Sequence, residues 1–98
     1  MITVVADFIV RRQDKQKLME AARELIAQSR KEPGNVSYDL YEQIDGPCHM
    51  SFIERWRDQA ALDQHMASEP FNRLCAQMGN YLEQPMTITR YRESEAGQ

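Results

Sequence analysis

The stretch Phe52-Ile53-Glu54-Arg55-Trp56-Arg57-Asp58-Gln59-Ala60-Ala61-Leu62-Asp63-Gln64-His65 carries two periods in succession. Its first half alternates apolar and polar side chains, the mark of a strand with two unlike faces. Phe52, Glu54 and Trp56 share one face, and Ile53, Arg55 and Arg57 the other. Asp58 then offers a carboxylate oxygen to the free amides of a helix start. Ala61, Leu62, His65 and Met66 follow on one helical face. A carboxylate and an indole on a strand are thereby brought beside an imidazole from the succeeding helix, the outline of a small-molecule site.

Upstream, residues 35–43 alternate as well, with Val36, Tyr38, Leu40 and Glu42 against Ser37, Asp39 and Tyr41. Asp45-Gly46-Pro47 is turn chemistry, so this strand and the one from His49 to Arg57 are predicted to form a hairpin with a loop of several residues. Downstream, Ser68-Glu69-Pro70-Phe71 restarts a helix: serine caps it, glutamate suits its positive end and proline is tolerated in its first turn. Phe71, Leu74, Cys75, Met78 and Leu82 form a buried stripe that Gln84-Pro85 closes. Met86 to Arg92 alternates again as a final strand, and residues 93–98 are expected to fray as a polar tail.

The amino-terminal part completes the pattern. Residues 2–10 are β-branched and aromatic, a strand with Val4, Ala6, Phe8 and Val10 on one face and Val5 and Ile9 on the other. From Gln13 to about Lys31 the period is helical, with a stripe of Leu18, Ala22, Leu25, Ile26 and Ser29. Pro33-Gly34 is expected to end it, glycine permitting a left-handed exit. The order β-α-β-β-α-α-β over one four-stranded antiparallel sheet predicts an α+β, ferredoxin-like split βαβ with its helices on one face, a single domain over 1–98 with its core at about 2–92. The first strand is apolar on the uncovered face too, and an open apolar sheet face normally marks an interface. Two copies packed through their sheet faces, a homodimer, are therefore expected.

Composition narrows the function classes. Ninety-eight residues bury somewhat over ~60% of the unfolded chain's surface, so association is expected to contribute to stability. A net charge of -3, with bases scattered among acids, gives no nucleic-acid surface. No apolar run approaches the ~20 residues of a membrane helix, and the amino terminus has no signal-peptide layout. Cys48 and Cys75 belong to no metal-spacing motif and are read as reduced thiols of a cytoplasmic protein, Cys75 in the core and Cys48 in a loop. His49 and His65 make no metal spacing, and there is no phosphate loop, nucleophile elbow or flavin fingerprint.

Glu32-Pro33-Gly34-Asn35-Val36-Ser37-Tyr38, Glu54-Arg55-Trp56, Ala61-Leu62-Asp63-Gln64-His65, then Ser68 and Phe71 together resemble the antibiotic biosynthesis monooxygenase family over about residues 2–92. The likeness is to the small quinol-monooxygenase-type members, dimeric α+β barrels, some of which oxidise phenolic or quinol substrates with dioxygen and without metal or flavin. An electron-rich phenolate can itself pass an electron to dioxygen, so such a protein must mainly remove a proton and exclude water. Histidine, with an ordinary pKa of ~6.5, suits the first task. An aromatic-lined pocket suits the second.

The resemblance implies His65 as base or substrate anchor; the alternative is a helix histidine that only hydrogen-bonds locally. Glu54 either orients the imidazole, accepts a substrate hydroxyl or pairs with an arginine such as Arg90. Trp56, Asn35, Tyr38, Phe8, Phe52 and Phe71 are candidate pocket residues, each with an alternative reading as core or turn. Haem-degrading relatives carry an asparagine on the first strand, where Phe8 stands, and a haem-ligating histidine on the last helix, near Cys75. Neither is present, so haem is disfavoured and no cofactor is expected. The leading expectation is a cofactor-independent monooxygenase acting on a small aromatic, a quinol or polyphenol, with dioxygen. The alternatives are a non-catalytic dimeric ligand-binding module and a proton-transfer isomerase of the same fold.

Overall fold

The computed structural model describes residues 1–93. The elements are β1 (Ile2–Ile9), a 3-10 turn at Arg12–Asp14, α1 (Lys15–Ser29), β2 (Asn35–Gln43), β3 (Gly46–Trp56), α2 (Gln59–Met66), α3 (Glu69–Gly79) and β4 (Thr87–Arg92). All strand pairs are antiparallel, in the order β2-β3-β1-β4. This is the α+β, ferredoxin-like arrangement that the alternating periods predict. The helices cover the face that carries Val4, Ala6, Phe8, Met50, Phe52, Glu54 and Trp56, all buried. Leu18, Ala22 and Leu25 of α1 and Leu74 and Met78 of α3 close the core from the other side.

Cross-strand register fixes what stands beside what. One row across the helix-covered face runs Tyr38, Glu54, Val4, Arg90, and the next runs Leu40, Phe52, Ala6, Ile88. The first row is polar at both ends of the sheet; the second is apolar throughout. On the uncovered face Val5 stands between Ile53 and Thr89, and Thr3 between Arg55 and Tyr91.

Several local expectations are corrected. The β2–β3 connection is a two-residue turn at Ile44–Asp45, because Gln43 already pairs with Gly46. Gly46, Pro47 and Cys48 therefore belong to β3. Pro47, which has no N–H, falls where the ladder between Gly46 and Met50 is interrupted, so it deprives no partner of a bond. Val36 does not join Tyr38 and Leu40 in the core: it is the extra residue of a β-bulge between Asn35 and Ser37, and half of it is exposed.

Helix α3 stops at Gly79, short of Leu82, where the following segment is drawn towards β1. The freed segment pairs with the extension of β1 instead, through a Val10–Leu82 bridge and hydrogen bonds from Arg11 N to Tyr81 O (2.9 Å) and Glu83 N to Ile9 O (2.9 Å). Glu93, expected in the frayed tail, is tied to Met1, its N–H donating to the Met1 carbonyl at 3.1 Å. The rest of that tail, 94–98, lies outside the described residues.

Candidate active site

The imidazole of His65 is placed by helix α2, and α2 begins where the strand pattern stops. Asp58 caps it, accepting from Ala61 N at 2.8 Å, and that amide is the main reason its carboxyl titrates below the ordinary range. Two turns on, the helix face that buries Ala61 and Leu62 also buries His65, which is 1% exposed. Three aromatic rings hold the imidazole. Trp56 of β3 lies 4.4 Å away between centroids, Phe71 of α3 4.6 Å and Tyr38 of β2 5.4 Å. The ring has little freedom to turn.

Both ring nitrogens face carboxylates, on unlike terms. Nδ1 lies 2.8 Å from Glu32 Oε2. A carboxylate can only accept, so Nδ1 carries the hydrogen; in the neutral imidazole that arrangement leaves the lone pair on Nε2. Nε2 is buried without a hydrogen-bond partner, 3.9 Å from Glu54 Oε1. Glu54 accepts from the Trp56 indole N–H at 2.8 Å. Burial raises the Glu54 carboxyl above its ordinary value, against the lowering influence of Trp56, His65 and Tyr38. Burial, and then the neighbouring Glu54, raises the Tyr38 phenol too, so Tyr38 stays a protonated donor.

The unpartnered nitrogen sits at a cavity of about 130 Å³ between the sheet and helices α2 and α3. Its floor is Val4, Ala6 and Phe52, its walls include Leu62, Phe71 and Met78, and His65, Glu54 and Tyr38 form its polar end. Met86, Ile88 and Arg90, from β4 and the residue before it, line the side at the edge of the sheet. At about 130 Å³ the cavity is a little smaller than the ~150 Å³ apolar cavity that admits a benzene ring, which makes it of one-ring size at most. Across the imidazole, Glu32 borders a second cleft of about 240 Å³, lined by Gln28, Ser29, Gln64, Ser68 and Pro70. The Glu32 side chain is 25% exposed there, so the ring stands between an apolar hollow and a solvent-facing cleft.

Of the residues singled out from sequence, His65, Glu54, Tyr38, Phe52 and Phe71 meet at the cavity. Three do not line it. Trp56, fully buried, lies behind the polar end, where it stacks on His65 and holds Glu54. Asn35 spends its amide on the bulge, donating to the carbonyls of Ser37 (3.0 Å) and Arg55 (3.3 Å). Phe8 packs on Phe52 in the core at 5.7 Å. Among the described residues Glu54 makes no ion pair with Arg90; the nitrogen facing it is His65 Nε2, at 3.9 Å.

Sequence reasoning missed Glu32, although it stood in a motif that carries the resemblance, because nothing local marks a turn carboxylate as the partner of a histidine 33 residues on. It also missed Cys75 as a wall residue, whose thiol burial and Glu54 push up to about 11. Cys48 and Cys75 are unpaired thiols, and Cys48 is a strand residue, not a loop residue. Among the described residues no group of three or more His, Cys, Asp or Glu side chains is arranged to hold a metal ion, and no helix is long and apolar enough to cross a membrane.

Comparison with known proteins agrees with the fold. A family model described as antibiotic biosynthesis monooxygenase matches residues 1–77. YcnE of Bacillus subtilis, provisionally named a monooxygenase, is 30% identical over 95 residues, covering 97% of this chain and 100% of that protein. Rv0793 of Mycobacterium tuberculosis, provisionally named likewise, is 35% identical over 88 residues, covering 90% and 86%. A crystal structure of a conserved protein from Methanosarcina mazei superposes with a TM-score of 0.93 at 30% identity, over 95% of this chain and 92% of that one.

Proposed function

The chain belongs to the antibiotic biosynthesis monooxygenase family, and from that premise we propose that it oxidises a small single-ring phenol or quinol with dioxygen, without metal, flavin or haem. The observation that carries this reading is the buried, unpartnered Nε2 of His65 at an apolar cavity of one-ring size, with Nδ1 hydrogen-bonded to Glu32.

In this reading the substrate hydroxyl enters beside His65, Glu54 and Tyr38 and gives its proton to Nε2. Glu32 holds the ring in the tautomer that leaves Nε2 free and stabilises the imidazolium that forms, as the carboxylate of a hydrolytic triad does. The phenolate left in the dry hollow is electron-rich and poorly solvated, and it passes one electron to dioxygen. Recombination at a ring carbon forms a C–O bond, and loss of water leaves a carbonyl. For a hydroquinone the sum is one quinol and one dioxygen giving one hydroxyquinone and one water. One oxygen atom enters the product, the other leaves as water, and the quinol supplies all the electrons that reduce dioxygen. The proton on His65 has an exit through Nδ1 and Glu32 to the second cleft.

Haem has no place in this reading. The hollow takes one ring, and Cys75, with its pKa pushed up to about 11, is a neutral thiol rather than a ligand. The uncovered sheet face, with Val5, Ile9 and Ile53 half-buried and Tyr41 and Tyr91 exposed, fits a second copy of the chain, so the reading includes a homodimer joined through its sheets. The unpaired thiols suit a reducing cytoplasm.

The Glu32–His65 pair would equally serve proton transfer without oxygen, which makes an isomerase the second reading. Oxygen uptake with a panel of reduced quinones and polyphenols, in metal-chelated buffer under labelled dioxygen, separates the two. The oxygenase consumes oxygen with one labelled atom in the product; conversion with no oxygen consumed favours the isomerase. Ligand-dependent melting shifts with neither would leave a binding module.

A further inference from the structure

We infer that Arg90 is the anchor for an acidic substituent, so that the substrate class is a phenolic acid: one aromatic ring with a hydroxyl at the histidine end and a carboxylate at the sheet edge. The inference rests on the proposed use of the cavity and specifies what fills it.

The register supplies the geometry. Tyr38, Glu54, Val4 and Arg90 form one row across the helix-covered face of the sheet. Adjacent strands are ~4.8 Å apart, so Glu54 on β3 and Arg90 on β4 are separated by two spacings, ~10 Å of backbone, with Val4 between them. All four line or floor the same cavity. The polar groups therefore stand at its two ends, and the floor between them is apolar. In the next row the position equivalent to Arg90 is Ile88, opposite Ala6 and Phe52, so a cation at this rim is not a general feature of β4.

Arg90 is also uncommitted among the described residues. Among the described residues it enters no ion pair, whereas its strand neighbour Arg92 donates to Gln59 Oε1 at 3.3 Å. It is the one cationic side chain among the described residues lining the cavity, and a guanidinium fork matches a carboxylate in two hydrogen bonds. The two ends then divide the work. Arg90 takes the permanent negative charge at the wet rim, and His65 takes the proton of the hydroxyl in the dry interior. A ring anchored this way enters hydroxyl first. The reverse orientation would bury a carboxylate against Glu54, which like-charge repulsion and desolvation both oppose.

The test uses the full chain and its single tryptophan, Trp56, which stacks on His65 and so reports ligands in the cavity. Anaerobic titration with 3,4-dihydroxybenzoate and with catechol compares the same ring with and without the acid. The wild type should bind the acid at least ~10-fold more tightly, with the preference shrinking as salt is raised. Arg90→Gln should weaken binding of the acid at least ~10-fold more than binding of catechol, so that the preference is lost, and Arg90→Lys should keep part of it; melting curves establish that the variants fold. Equal affinities in the wild type, a preference that survives Arg90→Gln, or no quenching by either probe would overturn the inference. The expected preference without oxygen uptake in air supports the anchor and refutes the oxygenase reading, so the two fail separately.

Discussion

At the scale of the residue, the chemistry depends on which nitrogen of His65 is occupied. Glu32 holds Nδ1 and nothing holds Nε2. His65→Ala should lower oxygen uptake ~100-fold or more while the fold survives, since general-base steps carry effects of that size. An unchanged rate would reduce the ring to packing. Glu32→Gln keeps the shape but offers an amide that can donate as well as accept, so it no longer fixes the tautomer. Turnover should fall at least ~10-fold with an altered pH profile, and Glu32→Asp should recover part of it. A pH profile that does not move in Glu32→Gln would assign the pair a structural role only.

Glu54 makes a stability prediction of definite sign. Its carboxyl is raised above the ordinary 4.5 by burial. The folded state therefore holds the proton to higher pH than the unfolded state. Stability from this group falls as pH rises from about the ordinary value through the raised one, and stays lower above it. Glu54→Gln removes the titration while keeping the acceptor for the Trp56 indole. The variant should melt higher than the wild type above that window and at nearly the same temperature below it. Thermal melts across pH check this, and a variant that melts lower at high pH would contradict it.

At the scale of the element, the site depends on how closely the turn after α1 approaches α2. A Cβ built on Gly34 would stand 2.2 Å from the Cβ of Ala61, and the Gly34 carbonyl accepts from Arg57 N at 2.9 Å. The sequence suggested glycine for a left-handed exit from α1; the structure assigns it to close packing against α2 instead. Gly34→Ala should destabilise by ~1–3 kcal/mol through overpacking. It should also reduce turnover beyond the loss of folded protein, because the displaced turn carries Glu32. Denaturant titration beside specific activity separates the two effects.

The same turn shows what was legible in the letters. Asp58 and Ser68 announce the starts of α2 and α3 because a cap is local chemistry, two or three residues wide, and both side chains do accept from the amides expected of them. His65 was legible as inward-facing because its period matches that of Ala61 and Leu62. The bulge at Val36, the end of α3 at Gly79 and the role of Glu32 were not. Each depends on a partner far along the chain: Trp56 and Arg55 across the ladder, Val10 for Leu82, and His65 for Glu32. Trp56 was left open between pocket wall and core for a similar reason. Its facing was right, but its indole is committed to Glu54 and its ring to His65, which leaves it behind the cavity instead of in its wall.

At the scale of the whole molecule, the sheet has one covered face and one open face, and Val5 and Ile53 stand directly opposite each other at the centre of the open one. Sedimentation at micromolar concentration should show a dimer, and Ile53→Asp should shift it to a monomer of lower melting temperature by placing a charge in the interface. A wild-type monomer at that concentration would contradict sheet-to-sheet pairing while leaving the cavity intact. That hollow, closed by strand and helix around an imidazole whose inner nitrogen is free, is the feature on which the oxygenase reading stands. With only two histidines in the chain, His49 and His65, nitrogen-15 NMR of the labelled imidazoles observes it most directly. Without ligand, His65 should be protonated on Nδ1 and bare on Nε2, and anaerobic addition of 3,4-dihydroxybenzoate should place a proton on Nε2. An Nε2 already protonated in the free protein, or one that the bound phenol leaves unchanged, would contradict the account.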